Sequence, residues 1–327
     1  MGTSLAAPNS RSPGLFALNL SQQVESLPDA YATIDLGTQT ALLLIARALP
    51  DGSLDVVEDH AFAARLGAGL EVGGELSPSA ADRTLEILEN FARRLELRGV
   101  GRKRLRAVGT AVLRRARNAG AFVERVSREL DIDLEVLSGD EEARIGCEAA
   151  LQVLPAELRD GAVVVDVGGG SSEVVLDGGR ERYSLPLGAL LATDRFAPGD
   201  LLAGIESEVA ALPAGSGEGR AAVFLGGAAS NLACLERGIE CYDPRLAEGF
   251  RLEGASGLGW ARRLLELELE LRRDLPIEPD RADILPAGLA LLGAISTRIG
   301  LGQAVVTGRG LRYGLLSELL LAAGQDG

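Results

Sequence analysis

The residues of this sequence that could do chemistry lie in a glycine-rich turn between two apolar runs. Valines surround Asp166, three glycines follow, and Ser171, Ser172 and Glu173 precede a second apolar run. Glycines let the backbone adopt positive φ and bring bare N–H groups close to an anion, while serine hydroxyls add further donors. The turn therefore suits phosphate, and a glycine hairpin whose aspartate forms an Asx turn is an equally compatible interpretation.

The segment after this turn is extended, which separates it from two familiar phosphate loops. A P-loop requires Gly-Lys-Ser/Thr at the start of a helix, and a dinucleotide fingerprint also needs a helix after its glycines. The pattern instead predicts a strand, a tight turn and a second strand. The candidate phosphate contacts of this turn are Gly168, Gly169, Gly170, Ser171 and Ser172.

The same layout occurs earlier in the chain. An apolar run ends at Asp35, a polar turn follows, and a second apolar run begins at Ala41. The candidate phosphate contacts of this first turn are Gly37, Thr38, Gln39 and Thr40. A duplicated α/β unit implies two lobes with a cleft between them, where ligands usually bind. We therefore expect Asp35 and Asp166 to face each other across that cleft.

Both halves of the chain are predicted to have the element order βββαβαβα. After the first hairpin we expect a strand at 54–63, a helix at 78–98, a strand at 104–110, a helix at 118–130, a strand at 134–137 and a helix from Gly139. After the second we expect a strand at 180–186, helical segments within 188–212, a strand at 221–225, a helix at 228–237, mostly amphipathic helix over 249–274, an apolar helix over 279–300, a strand at 303–307 and a final helix. Ser77 before Pro78 predicts a helix N-cap, and Gly99 predicts the end of that helix.

The length and composition agree with a globular chain of two domains. The 327 residues are 46% hydrophobic and 24% charged. We place lobe I at 29–157 and lobe II at 158–327. Residues 1–28 are rich in Ser, Pro, Asn and Gln and lack a cleavage site, so we expect a flexible tail and not a signal peptide.

The net charge of −14 argues against general binding to nucleic acid or to membrane surfaces. Between Arg93 and Arg117, however, ten basic residues stand against one acidic residue, Glu96. This stretch is a candidate for a local anion path, because the arginine fork binds phosphate oxygens in pairs. Arg114 and Arg117 follow a predicted strand end and are the better candidates, whereas the arginines of helix 78–98 suit its solvent-facing side.

His60 is the single histidine of the chain, which excludes a His-based triad, histidine phosphatase chemistry and a His-Asp metal phosphohydrolase site. The three cysteines Cys147, Cys234 and Cys241 have no CxxC spacing. They predict reduced core thiols in a cytoplasmic protein.

The segment SGDEEAR, residues 138–144, opens a predicted helix. Ser138 and Glu141 have the spacing of a capping box, which accounts for Glu141. Glu142 lies one residue deeper in the first turn and just after a strand. Favourable placement at the positive end of the helix dipole and a role in a site are both open interpretations of Glu142.

Several motifs together resemble the exopolyphosphatase and guanosine pentaphosphate phosphohydrolase family, within the actin, Hsp70 and sugar kinase superfamily. The matches are DLGTQT at 35–40 to D-x-G-S-N-S, TAVLRRARN at 110–118 to T-S-A-x-R-x-A-x-N, SGDEEAR at 138–144 to S-G-x-E-E-A-R, DVGGGSSE at 166–173 to D-x-G-G-G-S-T-E, and GGAASNLA at 226–233, RAD at 281–283 and GLRYG at 310–314 to the later family stretches. The resemblance implies a two-lobed α/β fold of the ribonuclease H-like, actin-like ATPase type with an interlobe cleft.

The resemblance also implies roles for individual residues and a cofactor. Glu142 matches the catalytic base, and Asp35, Asp166 and Glu173 match ligands or orienters of Mg²⁺, with Mn²⁺ as the alternative ion. Arg114, Asn118 and the two turns match phosphate contacts. A carboxylate that positions water and a cation that neutralises the departing oxygens are what hydrolysis of a terminal phosphoanhydride requires. The expected substrate is inorganic polyphosphate, with guanosine pentaphosphate (pppGpp) as the close alternative.

The first turn departs from the family pattern, because Thr38-Gln39-Thr40 replaces Ser-Asn-Ser. Glutamine is one methylene longer than asparagine, so we expect displaced contacts and altered activity in that turn. The matches end with lobe II, so we expect a short form without further helical domains. A phosphotransferase acting with ATP and a non-catalytic polyphosphate or alarmone sensor remain alternatives, and a homodimer is one option for the oligomeric state.

Overall fold

The computed structural model describes residues 26–27, 29–51 and 53–325. The predicted tail therefore lies outside the described residues, apart from Ser26 and Leu27. Leu27 is buried in the core of lobe I, and its N–H donates to the carbonyl oxygen of Arg98 at 2.9 Å. The packed part of lobe I thus includes the end of the segment 1–28.

The first half of the chain forms five strands and six helices among the described residues. They are β1 (Tyr31–Leu36), β2 (Ala41–Ala48), β3 (Leu54–Phe62), α1 (Leu70–Gly73), α2 (Pro78–Arg98), β4 (Leu105–Gly109), α3 (Ala111–Arg115), α4 (Ala119–Leu130), β5 (Leu134–Val136), α5 (Gly139–Leu151) and α6 (Ala156–Arg159). The strands form one sheet in the order β3-β2-β1-β4-β5.

The second half forms a six-stranded sheet, within the described residues, and seven helices. They are β6 (Val163–Val167), β7 (Ser172–Leu176), β8 (Glu181–Leu185), α7 (Ala189–Arg195), α8 (Leu201–Val209), β9 (Ala222–Leu225), α9 (Gly226–Arg237), β10 (Arg251–Glu253), α10 (Ser256–Leu265), α11 (Leu269–Arg273), α12 (Leu285–Ile299), β11 (Gln303–Thr307) and α13 (Leu311–Gln325). The strand order is β10-β11-β9-β6-β7-β8.

The two sheets confirm the predicted duplication. In each sheet the first three strands of the unit pair antiparallel, and the first strand also pairs parallel with the fourth. The fourth strand also pairs parallel with a later strand. In lobe I β4 pairs with β5, and in lobe II β9 pairs with β11. The carboxyl ends of β1 and β6 therefore occupy equivalent positions in the two lobes.

One strand of lobe II was not predicted. The segment 249–274, expected to be mostly helix, begins with the strand β10, which pairs antiparallel with β11 at the edge of the sheet. A strand of three residues is too short to show the alternation from which a strand is predicted. Only α10 and α11 of this segment are helical.

Local capping signals explain the helix boundaries that the sequence predicted correctly. The Ser77 side chain accepts a hydrogen bond from the N–H of Ala80 at the start of α2, and Gly99 ends this helix with φ 70°. At the start of α5 the predicted capping box is present, because Ser138 and Glu141 each satisfy a backbone N–H of the other. This capping box leaves the neighbouring Glu142 free for another role.

The two lobes exchange helices. Helix α5 packs against the sheet of lobe II, where Cys147 and Leu151 join a core with Val164 and Val223. Helix α13 packs against the sheet of lobe I, where Leu316 contacts Leu44. The sheets are thus joined through two helices that follow one sheet in the chain and pack on the other.

Helices α5 and α13 approach closely at Gly314. A Cβ atom added there would lie 2.5 Å from the carbonyl oxygen of Ile145. We expect Gly314→Ala to lower the free energy of unfolding by about 1–3 kcal/mol, because backbone of α5 must move. Denaturant unfolding measures this change.

Gly120 provides the matched control in α4, since a Cβ there meets no described atom within 4 Å. Gly120→Ala should leave stability unchanged or slightly higher, because alanine is the better helix former. Equal unfolding midpoints for the two variants would contradict the close crossing.

Most of the arginine-rich stretch serves the fold and not an anion path. Arg94 and Arg98 form ion pairs with Glu58. Burial opposes the ionisation of Glu58, but hydrogen bonds from His60 and these arginines outweigh it and lower the pKa of Glu58 to about 2. Arg106 bridges Glu135 and Glu318. Arg117, the other candidate of this stretch, pairs with Glu75, whereas Arg114 reaches the candidate site, where its partner is Glu142.

The cysteines and the single histidine agree with their predicted lack of reactivity, with one correction. Cys147 and Cys234 are buried, and burial raises the pKa of the Cys147 thiol to about 11. Cys241 is exposed, so it is not the core thiol that was expected. The Nε2 atom of His60 lies 3.0 Å from the Glu58 carboxylate.

None of the described helices is long and apolar enough to span a bilayer.

Candidate active site

The two aspartates occupy equivalent places near the carboxyl ends of the central strands. Asp35 of β1 lies beside Val108 of the parallel strand β4, and Asp166 of β6 lies beside Leu225 of the parallel strand β9. Ligands of α/β folds bind at this edge, because loops and helix N-termini follow the strand ends there. Strand pairing therefore delivers both aspartates to the ligand-binding edge of their sheets.

The turns after the aspartates are closed by equivalent hydrogen bonds. The N–H of Gly37 donates to the carbonyl oxygen of Thr40 at 2.9 Å, and the N–H of Gly168 donates to that of Ser171 at 3.0 Å. A Cβ atom at Gly37 would come within 3.3 Å of the Thr40 oxygen, and one at Gly168 within 3.1 Å of the Ser171 oxygen. A side chain is thus tightly accommodated at the same point of both turns, which favours glycine there.

The two turns face each other directly. A Cβ atom added to Gly169 would lie 2.6 Å from the Cβ of Gln39, and one added to Gly170 would lie 2.2 Å from the Oγ1 of Thr38. Backbone of the second turn therefore packs against side chains of the first turn. The lobes meet at the hairpins on which the predicted site depends.

Gln39 has an unusual environment. Its side chain is only 2% exposed, and neither its Nε2 nor its Oε1 has a hydrogen-bond partner among the described residues. A buried amide without partners is costly, so such a group usually meets a water, an ion or a ligand. The orphaned amide lies where the predicted phosphate turns touch.

Glu173 is the direct cross-strand neighbour of Asp166. The two residues pair between β6 and β7, so their side chains lie on the same face of the sheet. Glu173 is 8% exposed and accepts a long hydrogen bond of 3.4 Å from the Ser184 hydroxyl. Two like charges on one face repel each other, so this pair suits a site that receives a cation.

Glu142 enters the site from the first turn of α5. The Nη1 atom of Arg114 donates to its carboxylate at 2.7 Å and to the carbonyl oxygen of Leu137 at 2.8 Å. Arg114 stands on α3, directly after β4, and thus reaches Glu142 from the neighbouring strand end. This bond orients the Glu142 carboxylate.

Burial raises the pKa values of all four carboxyl groups, and the charges of neighbouring carboxylates add to this effect at three of them. Burial, followed by the charge of Glu142, raises the pKa of Asp35 to about 7 and that of Asp166 to about 7. Burial and the charges of Glu142 and Asp166 raise the pKa of Glu173 to about 8. Burial also raises the pKa of Glu142, against the opposing charge of Arg114.

These pKa values predict that the metal-free protein loses stability as the pH rises. The unfolded chain is ionised at these carboxyl groups above about pH 5, whereas the folded protein keeps protons on Asp35, Asp166 and Glu173 up to pH 7 to 8. Each group then contributes a loss of up to about 1.4 kcal/mol per pH unit below its folded pKa. Thermal unfolding in EDTA between about pH 5 and pH 9 measures the effect. An unfolding temperature that rises over this range would contradict it.

A small cavity lies beside these carboxyl groups, between α5 and the sheet of lobe II. Its volume is about 20 Å³, and Glu142, Cys147, Asp166 and Glu173 contribute to its lining. Such a volume accommodates about one water molecule. This cavity therefore does not hold a phosphate chain, and the facing turns of the two lobes would have to separate to admit one.

The side chains of two predicted phosphate contacts, Ser172 and Asn118, form hydrogen bonds to backbone outside the two turns. The Ser172 hydroxyl is fully buried and donates to the carbonyl oxygen of Leu187 at 2.8 Å. The side-chain amide of Asn118 donates to the carbonyl oxygen of Leu76 and accepts from its N–H. Both side chains hold neighbouring segments in place, and their assignment to phosphate stays a prediction.

Two residues of the later family motifs, outside the predicted set of site residues, stand beside the site. Arg281 donates from Nη2 to the Thr40 hydroxyl at 2.6 Å, which joins lobe II to the first turn. Gly226 has φ 88°, and a Cβ there would lie 2.8 Å from Oδ1 of Asp166. The paired glycines Gly226 and Gly227 after β9 indicate a close approach of another group. No local pattern connects Arg281 with Thr40, because the two residues are 241 positions apart.

The carboxylate set suits a hard divalent cation without forming a complete metal cage. Across the described residues, no three Asp, Glu, His or Cys side chains are close enough together to hold one ion. Mg²⁺ prefers oxygen ligands, retains several waters and is usually held by one or two carboxylates together with substrate phosphates. Crowded carboxyl groups with raised pKa values fit such an ion, which would offset their repulsion.

Comparison with known proteins places the chain in a family. Residues 44–323 match the Ppx/GppA phosphatase family, and the chain belongs to it. It is therefore a hydrolase of phosphoanhydride bonds, as the sequence motifs predicted.

Solved structures support the same assignment. The crystal structure of the Aquifex aeolicus member of the Ppx/GppA family is 29% identical to this chain, with a TM-score of 0.71, and the match covers 90% of this chain and 98% of that one. An exopolyphosphatase from Cytophaga hutchinsonii is 22% identical, with a TM-score of 0.75 and coverage of 90% and 98%, and it shares the fold. The predicted two-lobed α/β architecture is thereby confirmed.

Proposed function

We propose that this enzyme removes terminal orthophosphate from inorganic polyphosphate in a reaction that depends on Mg²⁺. The observation that carries the proposal is the convergence of Asp35, Asp166, Glu173 and Glu142 from four different elements beside two facing glycine turns. Backbone N–H groups of glycine turns suit phosphate oxygens, and a carboxylate base suits attack by water.

Glu142 is the group that we assign as the base. It stands in the first turn of α5, and the hydrogen bond from Arg114 fixes its orientation. Its carboxylate would accept the proton of a water that attacks the terminal phosphorus. The charge of Arg114 counteracts the effect of burial on the Glu142 pKa, which favours the ionised form that a base requires.

Asp35, Asp166 and Glu173 are the carboxylates that would bind or orient Mg²⁺, one or two of them as direct ligands together with oxygens of the substrate. A divalent cation bound there would neutralise charge on the departing phosphate oxygens. The raised pKa values support this assignment, since a bound cation favours the ionised form of each group.

The substrate is tested by phosphate release from short and medium linear polyphosphates and from pppGpp, with Mg²⁺ or EDTA. We expect release from polyphosphate that requires Mg²⁺ and is lost in EDTA. Faster release from pppGpp would identify the nucleotide as the substrate. Tight binding of polyphosphate without turnover in Mg²⁺ or Mn²⁺ would identify a sensor and overturn the proposal.

A further inference from the structure

An ion pair joins the two lobes beside the first glycine turn. Arg65 lies in lobe I between β3 and α1, and its Nη2 atom is bonded to Oδ2 of Asp283, in lobe II just before α12. The neighbouring Arg281 joins the lobes at Thr40, so the contact lies beside the first glycine turn. Separation of the lobes for substrate entry therefore requires this ion pair to break.

The backbone of Arg65 is held firmly against the first turn. Its N–H donates to the carbonyl oxygen of Gln39 at 2.8 Å, and its own carbonyl oxygen accepts from Nη2 of Arg83 at 3.2 Å. Arg65 has φ 50°, a left-handed conformation that is uncommon for a residue with a side chain. Such conformations persist where the surrounding structure determines them, and they concentrate at ligand-binding sites.

The guanidinium of Arg65 has unused capacity for an anion. Its Nε atom is buried and bonds to nothing within the described part of the chain. A guanidinium offers five N–H donors in a planar fork that matches phosphate oxygens. The bond to Asp283 satisfies only part of this group.

The Arg65–Asp283 pair is the most exposed of four Arg–carboxylate pairs near the candidate site. The exposed fractions of the two side chains are 32% and 35%, against 26% and 19% for Arg114–Glu142, 13% and 20% for Arg281–Glu278, and 16% and 30% for Arg312–Asp59. The more an ion pair is exposed to solvent, the less it contributes to net stability. A phosphate anion that enters the cleft would thus displace Asp283 at the lowest cost among these pairs.

We infer that Arg65 is a binding site for a phosphate group of the polyphosphate chain, and that Asp283 occupies it as an internal competitor that keeps the lobes closed. Substrate exchanges with Asp283 for the Arg65 guanidinium, which releases the contact between the lobes. This inference rests on the proposed function, because its ligand is the same linear polyphosphate.

Calorimetric binding of inorganic tripolyphosphate to the Glu142→Gln protein tests the exchange without turnover. Asp283→Asn should tighten binding about two- to fivefold, because the competing charge is gone. Arg65→Gln should weaken binding about tenfold, while Arg65→Lys should weaken it less, because the charge is kept. In the Arg65→Gln background, Asp283→Asn should change the Kd by less than twofold.

Asp160→Asn is the matched control, because it removes the same charge from the exposed Arg180–Asp160 pair near the opposite end of β6. It should leave the Kd almost unchanged. An equal effect of Asp283→Asn with and without Arg65, or none in either background, would overturn the inference. Failure of the proposed function is seen separately, as absence of phosphate release by the protein with Glu142 intact.

Discussion

Replacing Glu142 by glutamine should lower the turnover number for polyphosphate by about 10²–10⁴-fold, the typical contribution of a positioned base. Glutamine keeps the shape of the side chain but cannot accept a proton from water. The bond from Arg114 can still form to the amide oxygen, so substrate binding should change little. The loss should therefore appear in kcat, with KM nearly constant, in a phosphate-release assay.

The adjacent Glu141 supplies a control of the same chemistry. Its carboxylate belongs to the capping box of α5, a position where glutamine also functions. Glu141→Gln should keep full turnover and nearly the same unfolding temperature. If both variants kept full turnover, Glu142 would not be the base, and if both lost it, the start of α5 and not one carboxylate would be required.

Asp166→Asn should lower activity by about 10²-fold or more, because a bound cation is worth several kcal/mol to such a reaction. Part of the loss should be recovered by raising the Mg²⁺ concentration, since the variant has lost one charged ligand and not the whole set. The same substitution should raise the unfolding temperature in EDTA above pH 7. Asparagine removes a buried charge that Glu142 and the facing Glu173 disfavour.

Asp166→Asn is expected to lower activity and to raise the unfolding temperature in EDTA, and these opposite effects make the experiment decisive. Lower activity combined with lower stability would indicate simple damage to β6. Unchanged activity at limiting Mg²⁺ would contradict the assignment of Asp166 as a cation ligand. Activity against Mg²⁺ concentration and thermal unfolding in EDTA provide the two measurements.

Features that depend on short stretches of chain were predictable from the sequence. The bounds of α2 follow from Ser77 and Gly99, and both acidic hairpins follow from apolar runs interrupted by glycine turns. The strand β10 was missed because three residues carry no periodic signal. Cys241 was assigned to the core on residue type, although its neighbours leave it exposed.

The residues of the candidate site were also readable from short motifs, whereas the contacts of each side chain were not. The motifs identified Asp35, Asp166, Glu173 and Glu142, and the structure brings their carboxyl groups close enough to shift one another's pKa values. The hydroxyl of Ser172 was indistinguishable in sequence from that of Ser171, yet its single proton is donated to Leu187. A turn motif records which groups are present and does not record which of them the fold itself uses.

The sequence by itself determined the repeated strand–turn–strand units, their acidic residues and the capped helix that carries Glu142, because hydrophobic periodicity, glycine and caps act over a few residues. Only the tertiary structure decided that α5 and α13 exchange lobes, that Gln39 is enclosed without hydrogen-bond partners among the described residues, and that Arg65 and Arg281 join the lobes across the cleft. The Arg281–Thr40 contact, for example, joins residues 241 positions apart. Their formation depends on the packing of whole sheets and helices, for which no local stretch carries a signal.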